Sequence, residues 1–202
     1  MLSIKPEELT ERDNYKLLIG SIIPRPVAVV TSLSEEGVLN IAPFSYFNIV
    51  TSNPPIVSLA IQRKSGVMKD TARNILAKKE AVIHIADEEN IQNINETAAN
   101  LESTESELSR TTFTMTQGAV VSVPLIDELS IKMEVSLYEH VPIKTENTVT
   151  ADLLLLKVET YHVKEELYHQ GRIDPDKLNP MSRLAGNDYA ALGKRVTLKR
   201  PD

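Results

Sequence analysis

Between residues 26 and 62 the chain is cut into short runs of β-forming residues by turn residues at close intervals. VAVVTS occupies 27–32, VLNIA follows the turn SEEG, FSYFNIVTS ends at Ser52, and IVSLAIQ follows Asn53-Pro54-Pro55. Gaps this short cannot hold the helix of a crossover connection, so neighbouring runs must pair antiparallel. The pattern predicts a meander that closes into a barrel rather than a parallel α/β sheet.

The rest of the chain is consistent with that frame. Tyr15, Leu18 and Ile19 recur at helical spacing before Gly20, which predicts a short helix over 13–19 capped by Asp13 or Asn14. A second helix is expected over 67–79, where Val67, Ile75 and Leu76 form a sparse apolar stripe and Asp70 or Thr71 can cap the start. AVIHIAD at 81–87 reads as a buried strand. Residues 87–109, with Ile91, Ile94, Ala98 and Leu101 three to four apart, read as surface helix inserted over the barrel. Further strands are expected at 118–122, 129–140 and 150–162, the last long and apolar enough to be central. The 202 residues make one domain with a core of about 15–163. The weakly periodic segment 164–202 is an extension that needs a surface, either its own barrel or a partner subunit.

Composition removes several functional classes. With 22 Lys+Arg against 28 Asp+Glu the chain carries a net charge of −6, unfavourable for broad nucleic-acid binding though not for one phosphate group. It contains no cysteine, which excludes disulfides, thiolate nucleophiles and Cys-ligated metals, so redox chemistry requires a bound cofactor. His84, His140, His162 and His169 never pair at a metal-binding spacing, and no metal site is expected. No apolar stretch is long enough to span a membrane and the N-terminus lacks a signal-peptide pattern; a cytoplasmic location is the expectation. Nucleophile-elbow, Walker and dinucleotide-fold glycine motifs are all missing.

What remains is a set of small polar groups at strand ends: Thr31, Ser32, Asn40, Ser45 and Ser58. The cationic loop Gln62-Arg63-Lys64-Ser65 and the helix start Lys69-Asp70-Thr71 follow. Hydroxyls, free helix N–H groups and lysines suit a phosphate, although Asp70 and Thr71 also suit a plain cap. In Asn40–Phe47 the proline interrupts pairing and the aromatics can wall a flat ring, or pack as a bulge in the core. His84 reads as a hydrogen-bonded core residue. His162, at the end of a long strand, is open between ligand group and structure.

The ordered motifs PRPVAVVTS (24–32), NIAPFSYFN (40–48), the Asn-Pro-Pro turn with IVSLAI, and KDTARNI (69–75) together resemble the flavin reductase-like, FMN-binding split-barrel family. The resemblance covers residues 15 to 190 and extends to the longer, flavoredoxin-like subgroup through Arg183-Leu184-Ala185-Gly186…Tyr189, with Ala185 where glycine is common. It implies a mainly β fold, a six-stranded antiparallel Greek-key split barrel with peripheral helices and an extended C-terminal segment. It also implies a homodimer with non-covalent FMN. On that resemblance, Thr31, Ser32, Lys64, Lys69, Asp70 and Thr71 serve the ribityl phosphate end. Asn40, Ala42, Pro43, Phe44, Ser45 and Phe47 lie along the flavin ring. Arg183 and His162 are the candidate catalytic residues, near a reduced flavin or the nicotinamide of NADH or NADPH. The implied function is NAD(P)H-dependent flavin reduction serving an oxygenase or redox-protein acceptor; the alternative is a flavoredoxin-like electron-transfer protein that does not use NAD(P)H directly.

Overall fold

A computed structural model describes residues 1–201. Seven strands form one antiparallel sheet: β1 (Ala28–Leu33), β2 (Leu39–Phe44), β3 (Phe47–Ser52), β4 (Pro55–Gln62), β5 (Glu80–Ile85), β6 (Ile131–Thr145) and β7 (Thr148–Val163). Their order is β2-β1-β5-β6-β7-β4-β3. The two outermost strands, β2 and β3, are halves of one run that turns at Ser45-Tyr46. The first half pairs with β1 and the second with β4. The six strands that the family resemblance implies thus correspond to seven ladder strands, with β2 and β3 counted apart. A sheet whose two edges are joined by two residues has to curl round on itself.

The concave side carries the main core. Ala28 and Val30 of β1, Leu59 and Ile61 of β4, Ala81 and Ile83 of β5, Val135 of β6, and Leu154 and Leu156 of β7 pack there with Ala72 and Ile75 from the helix Asp70–Lys78. Alternation along each strand sends every second residue the other way. On β1 those residues are buried too: Val29 joins Ile41, Ile94, Phe113, Ile126 and Leu129 in a second cluster. A strand buried on both faces reads as the continuous apolar run seen here. The second cluster forms because the segment between β5 and β6 lies over the sheet.

Local boundaries differ from the sequence-based expectations in instructive ways. The first helix, α1 (Glu11–Ser21), begins earlier because Thr10 caps it, its hydroxyl accepting the Asp13 N–H at 3.2 Å. Gly20 lies inside this helix. The second, α2 (Asp70–Lys78), starts after Lys69, and no side chain caps its N-terminus. Residues 87–109, where one or two surface helices are expected, hold a short α-helix, α3 (Ile91–Glu96), and the start of a 3-10 turn at Glu107–Arg110. Residues 118–122 form no strand; two-residue strands at Met115–Thr116 and Leu125–Ile126 flank them instead. In the tail a four-residue helix, Pro175–Leu178, precedes a small sheet in which Ser182–Arg183 pairs with Arg25–Pro26 and with Tyr189–Ala190. The tail up to Ala190 is thus seated on its own barrel, with the Met181 N–H donating to Ala86 O at 3.0 Å. None of the described helices is long and apolar enough to cross a membrane.

Candidate flavin site

Three cavities run side by side along the bend between β2 and β3. One, of about 630 Å³, is lined by Asn40, Ala42, Pro43 and Phe44, by Lys64, and by Lys69, Asp70 and Thr71 at the uncapped start of α2. A second, of about 310 Å³, shares Pro43, Phe44 and Lys69 with the first and adds Arg25, Ser45, Arg183 and Tyr189. The third, of about 850 Å³, lies between α1 and β3 and is lined by Ser45 and Phe47. Volumes of this order suit small-molecule ligands.

Charge distinguishes the middle cavity. Arg25, Lys69 and Arg183 line it, and among the described residues no Asp or Glu does, although the chain as a whole is acidic. Arg183 lies over the Tyr189 ring, 4.5 Å from its centroid, and donates to Gly186 O at 2.5 Å. Gly186 has φ +60°, a left-handed conformation suited to glycine, whereas Ala185 needs no such backbone. Lys69 Nζ stands 5.8 Å from the Phe44 centroid. The first cavity differs in that Asp70, Glu102 and Glu107 line it beside its cations. Asp70 is paired with Arg73, and Glu107 accepts the Ile41 N–H at 2.8 Å while burial pushes its carboxyl above the ordinary carboxylate range.

Most of the residues that the sequence assigns to a ligand are therefore brought together: Asn40, Ala42, Pro43, Phe44, Ser45, Lys64, Lys69, Asp70 and Thr71 line the two adjoining cavities, and Arg183 faces the second. Thr31, Ser32 and His162 are not. Successive strand residues point to opposite faces, so Thr31 and Ser32 cannot both serve one group. Thr31 Oγ1 donates to Pro124 O at 2.8 Å on the covered outer face, and Ser32 Oγ accepts from Asn74 Nδ2 at 3.2 Å. Phe47 lines only the third cavity. Of the cationic loop, Arg63 is consumed by Asp152, held by two 2.8 Å hydrogen bonds that, with His140, keep that buried carboxyl below its ordinary value.

His162 belongs to a different structure. Its Nε2 lies 2.5 Å from Oε1 of the buried Glu134, whose carboxylate also accepts the N–H groups of Ala119, Val120 and Val121 at 2.7–2.9 Å. Burial alone would raise the Glu134 pKa, but these donors together bring it down to about 2. His84 is equally committed: it lies 2.9 Å from Val29 O through Nδ1 and accepts the Ile126 N–H through Nε2 at 2.9 Å. Burial lowers its pKa to about 3, so it stays neutral and structural. Among the described residues no group of three or more carboxylates and histidines is placed to hold a metal.

Arg25 is the site residue that the sequence reading missed. It sits between two prolines, a position that reads as a turn, and three of its four hydrogen-bond partners are main-chain oxygens, which leave no residue-type signal.

Comparison with known proteins points the same way. The family model described as "Flavin reductase like domain" matches residues 19–175. The solved nitrilotriacetate monooxygenase component B from Bacillus cereus is 54% identical, with a TM-score of 0.96 over 98% of both chains. The 2-nitrobenzoate 2-nitroreductase NbaA from Pseudomonas fluorescens is 29% identical, with a TM-score of 0.88 over 99% of this chain and 96% of that one. A split-barrel-domain protein from Shewanella frigidimarina NCIMB 400 superposes over 100% of both chains at a TM-score of 0.85 and 17% identity, a likeness of fold.

Proposed function

This chain belongs to the flavin reductase-like family, and from that premise we propose that it binds FMN along the β2–β3 bend and accepts hydride from NADH or NADPH. The observation that carries the reading is the middle cavity. In an acidic protein, a cavity lined by three cations and no carboxylate, walled by Phe44 and Tyr189, suits an aromatic ligand that bears negative charge.

The residues divide the work along the bend. Lys64, Lys69 and the uncapped N-terminal turn of α2 hold the phosphate, since helix N–H groups and ammonium donors both favour an anion. Asn40 and Thr71 are locked to one another by a 2.8 Å hydrogen bond from Asn40 Nδ2 to Thr71 Oγ1, which fixes that wall. Ala42, Pro43, Phe44 and Ser45 lie along the ring; the strand keeps its register through Pro43, which stands opposite Val29 and brings no N–H of its own to the ladder. Arg183, stacked on Tyr189, is the residue that recognises the nicotinamide donor or steadies charge on the ring. A bound flavin supplies the hydride acceptance and onward electron transfer; the protein supplies binding, orientation and field.

A homodimer completes this reading. Leu18, Ile22 and Ile23 at the end of α1, and Ile49 and Val50 on β3, are exposed large apolar residues beside the 850 Å³ cavity. Exposed apolar surface of this kind suits a second copy of the chain. The acceptor is free flavin passed to an oxygenase, as the name of the Bacillus cereus relative suggests for that protein, or another redox protein.

The test is stopped-flow mixing of the FMN-loaded protein with NADH and with NADPH. Rapid bleaching of the visible absorption is expected with at least one of them. A yellow protein that neither donor bleaches, but that a reduced ferredoxin-like donor does, overturns the nicotinamide assignment in favour of an electron carrier. Light scattering on the same preparation reads the dimer.

A further inference from the structure

Arg25 is 7% exposed, the most withdrawn of the three cations at the middle cavity, and its hydrogen bonds are unusual for a buried arginine. Nη1 donates to Ile19 O at 2.8 Å and to Ile22 O at 2.5 Å, both at the C-terminal end of α1. Nη2 donates to Leu184 O at 2.8 Å, and Nε to Ser45 Oγ at 3.4 Å. A guanidinium has five N–H donors, so these four bonds leave one, on Nη2. No carboxylate is among the partners. The titratable groups that share the middle cavity with it are Tyr15, Tyr46, Tyr189, Lys69 and Arg183, and none brings negative charge at neutral pH; the larger cavity on its other side adds Glu11 and Arg12, both on the exposed first turn of α1, and Arg25 bonds to neither. The C-terminal end of α1 offsets roughly half an elementary charge at most. A buried cation normally has an anionic partner, because its desolvation is costly.

We infer that Arg25 is a positioning residue and fixed charge for the flavin, its missing counter-ion being the negative charge that the ring acquires on reduction. This rests on the flavin reading above. A bound flavin would take two electrons and one proton as hydride from a reduced nicotinamide, which would leave the ring with one negative charge and the nicotinamide oxidised. A cation withdrawn from solvent acts on that charge with little screening, whereas Lys69 is exposed and Arg183 only half-buried. The same guanidinium ties α1, the Ser45 bend and the tail at Leu184 together, so it also sets where Arg183 stands.

The experiment measures the midpoint potential of bound FMN in wild type, Arg25→Lys, Arg25→Gln and Arg183→Gln, by dithionite titration against a reference dye. Arg25→Gln is expected to weaken binding of reduced relative to oxidised FMN about tenfold, a fall of about 30 mV for a two-electron couple. Arg25→Lys should keep most of the wild-type value, and Arg183→Gln should move it less than Arg25→Gln does. In wild type at mildly acidic pH the potential should change by about 30 mV per pH unit, the slope of one proton per two electrons. That wild-type slope decides the matter if Arg25→Gln does not fold: twice that slope means that the ring is neutralised by a second proton, and overturns the inference. A yellow Arg25→Gln protein with the wild-type potential overturns it alone. A wild-type protein that takes up no FMN overturns the flavin reading as well.

Discussion

Glu134, under the 117–123 loop, and Arg25, beside the middle cavity, are both charged groups withdrawn from water, yet their surroundings differ in kind. Glu134 is met by three backbone N–H groups and His162. Arg25 is met by carbonyls and a hydroxyl, with no opposite charge. A buried charge whose partners complete it stabilises the fold. One that the protein leaves without a counter-ion points to a partner from outside the chain. His162 and Arg183, both candidates in the sequence, part accordingly: His162 belongs to the Glu134 cluster and Arg183 to the cavity that Arg25 lines.

The largest expected effect tests the completed region. Glu134→Ala leaves three N–H groups and an imidazole without their acceptor, so it should lower unfolding free energy by roughly 3–5 kcal/mol, read from urea midpoints. A loss below about 1 kcal/mol would show that water replaces the carboxylate, and would break the contrast with Arg25. Next comes Gly118→Ala. A Cβ there would stand 2.8 Å from both Glu134 Oε2 and the Val121 carbonyl oxygen, the second of which is backbone and cannot swing away. The expected cost is about 1–3 kcal/mol, with flavin binding unchanged. Wild-type stability in Gly118→Ala would mean that the loop relaxes and that the carboxylate is held less tightly than its bond lengths indicate.

Acid should act on the same outer face. The folded pKa of His84 is depressed from 6.5 to about 3, and that of Glu134 from 4.5 to about 2. A depressed pKa means that the unfolded chain binds the proton first, so stability is lost as pH falls from the unfolded value toward the folded one. His84 therefore begins the loss near pH 6.5, and Glu134 adds to it below 4.5. Between pH 6 and 5 the His84 contribution approaches about 1.4 kcal/mol. Denaturant midpoints across that interval should show this slope in wild type and its absence in His84→Gln. An unchanged slope in the variant assigns the pH dependence to other groups.

The barrel could be read from the sequence because strand period and turn spacing are local properties of neighbouring residues. VAVVTS and TADLLLLKVETYH announce buried strands whatever surrounds them. Thr31 and Ser32 belong to the same level, since the alternation that identifies their strand also sends the two hydroxyls to opposite faces, where Pro124 O and Asn74 are their partners. Arg25 and Glu134 were illegible for another reason. Arg25 donates to Leu184 O, 159 positions away, and Glu134 is completed by the N–H groups of a loop that reads as strand. Main-chain partners carry no residue-type signature, so only the folded chain reveals which charges they satisfy. Asn40–Ser45 and Lys69–Thr71 stand out in the sequence by residue type alone, and the fold brings them to adjoining cavities.

Lys69 offers the smallest and most discriminating measurement. It precedes α2, where no side chain caps the helix, and it is exposed, so water screens it in a way that does not apply to Arg25. A solvated ammonium contributes little as an ion pair, on the order of 1 kcal/mol or less, even when a phosphate stands beside it. Lys69→Ala should therefore weaken FMN binding by roughly fivefold, most visibly at low salt, and leave riboflavin binding nearly unaltered because riboflavin lacks the phosphate. Fluorescence quenching titrations with the two flavins give the ratio directly. Equal weakening of both would place Lys69 against the ring through its position over Phe44, and would shift the phosphate toward Lys64 and the N–H groups of α2.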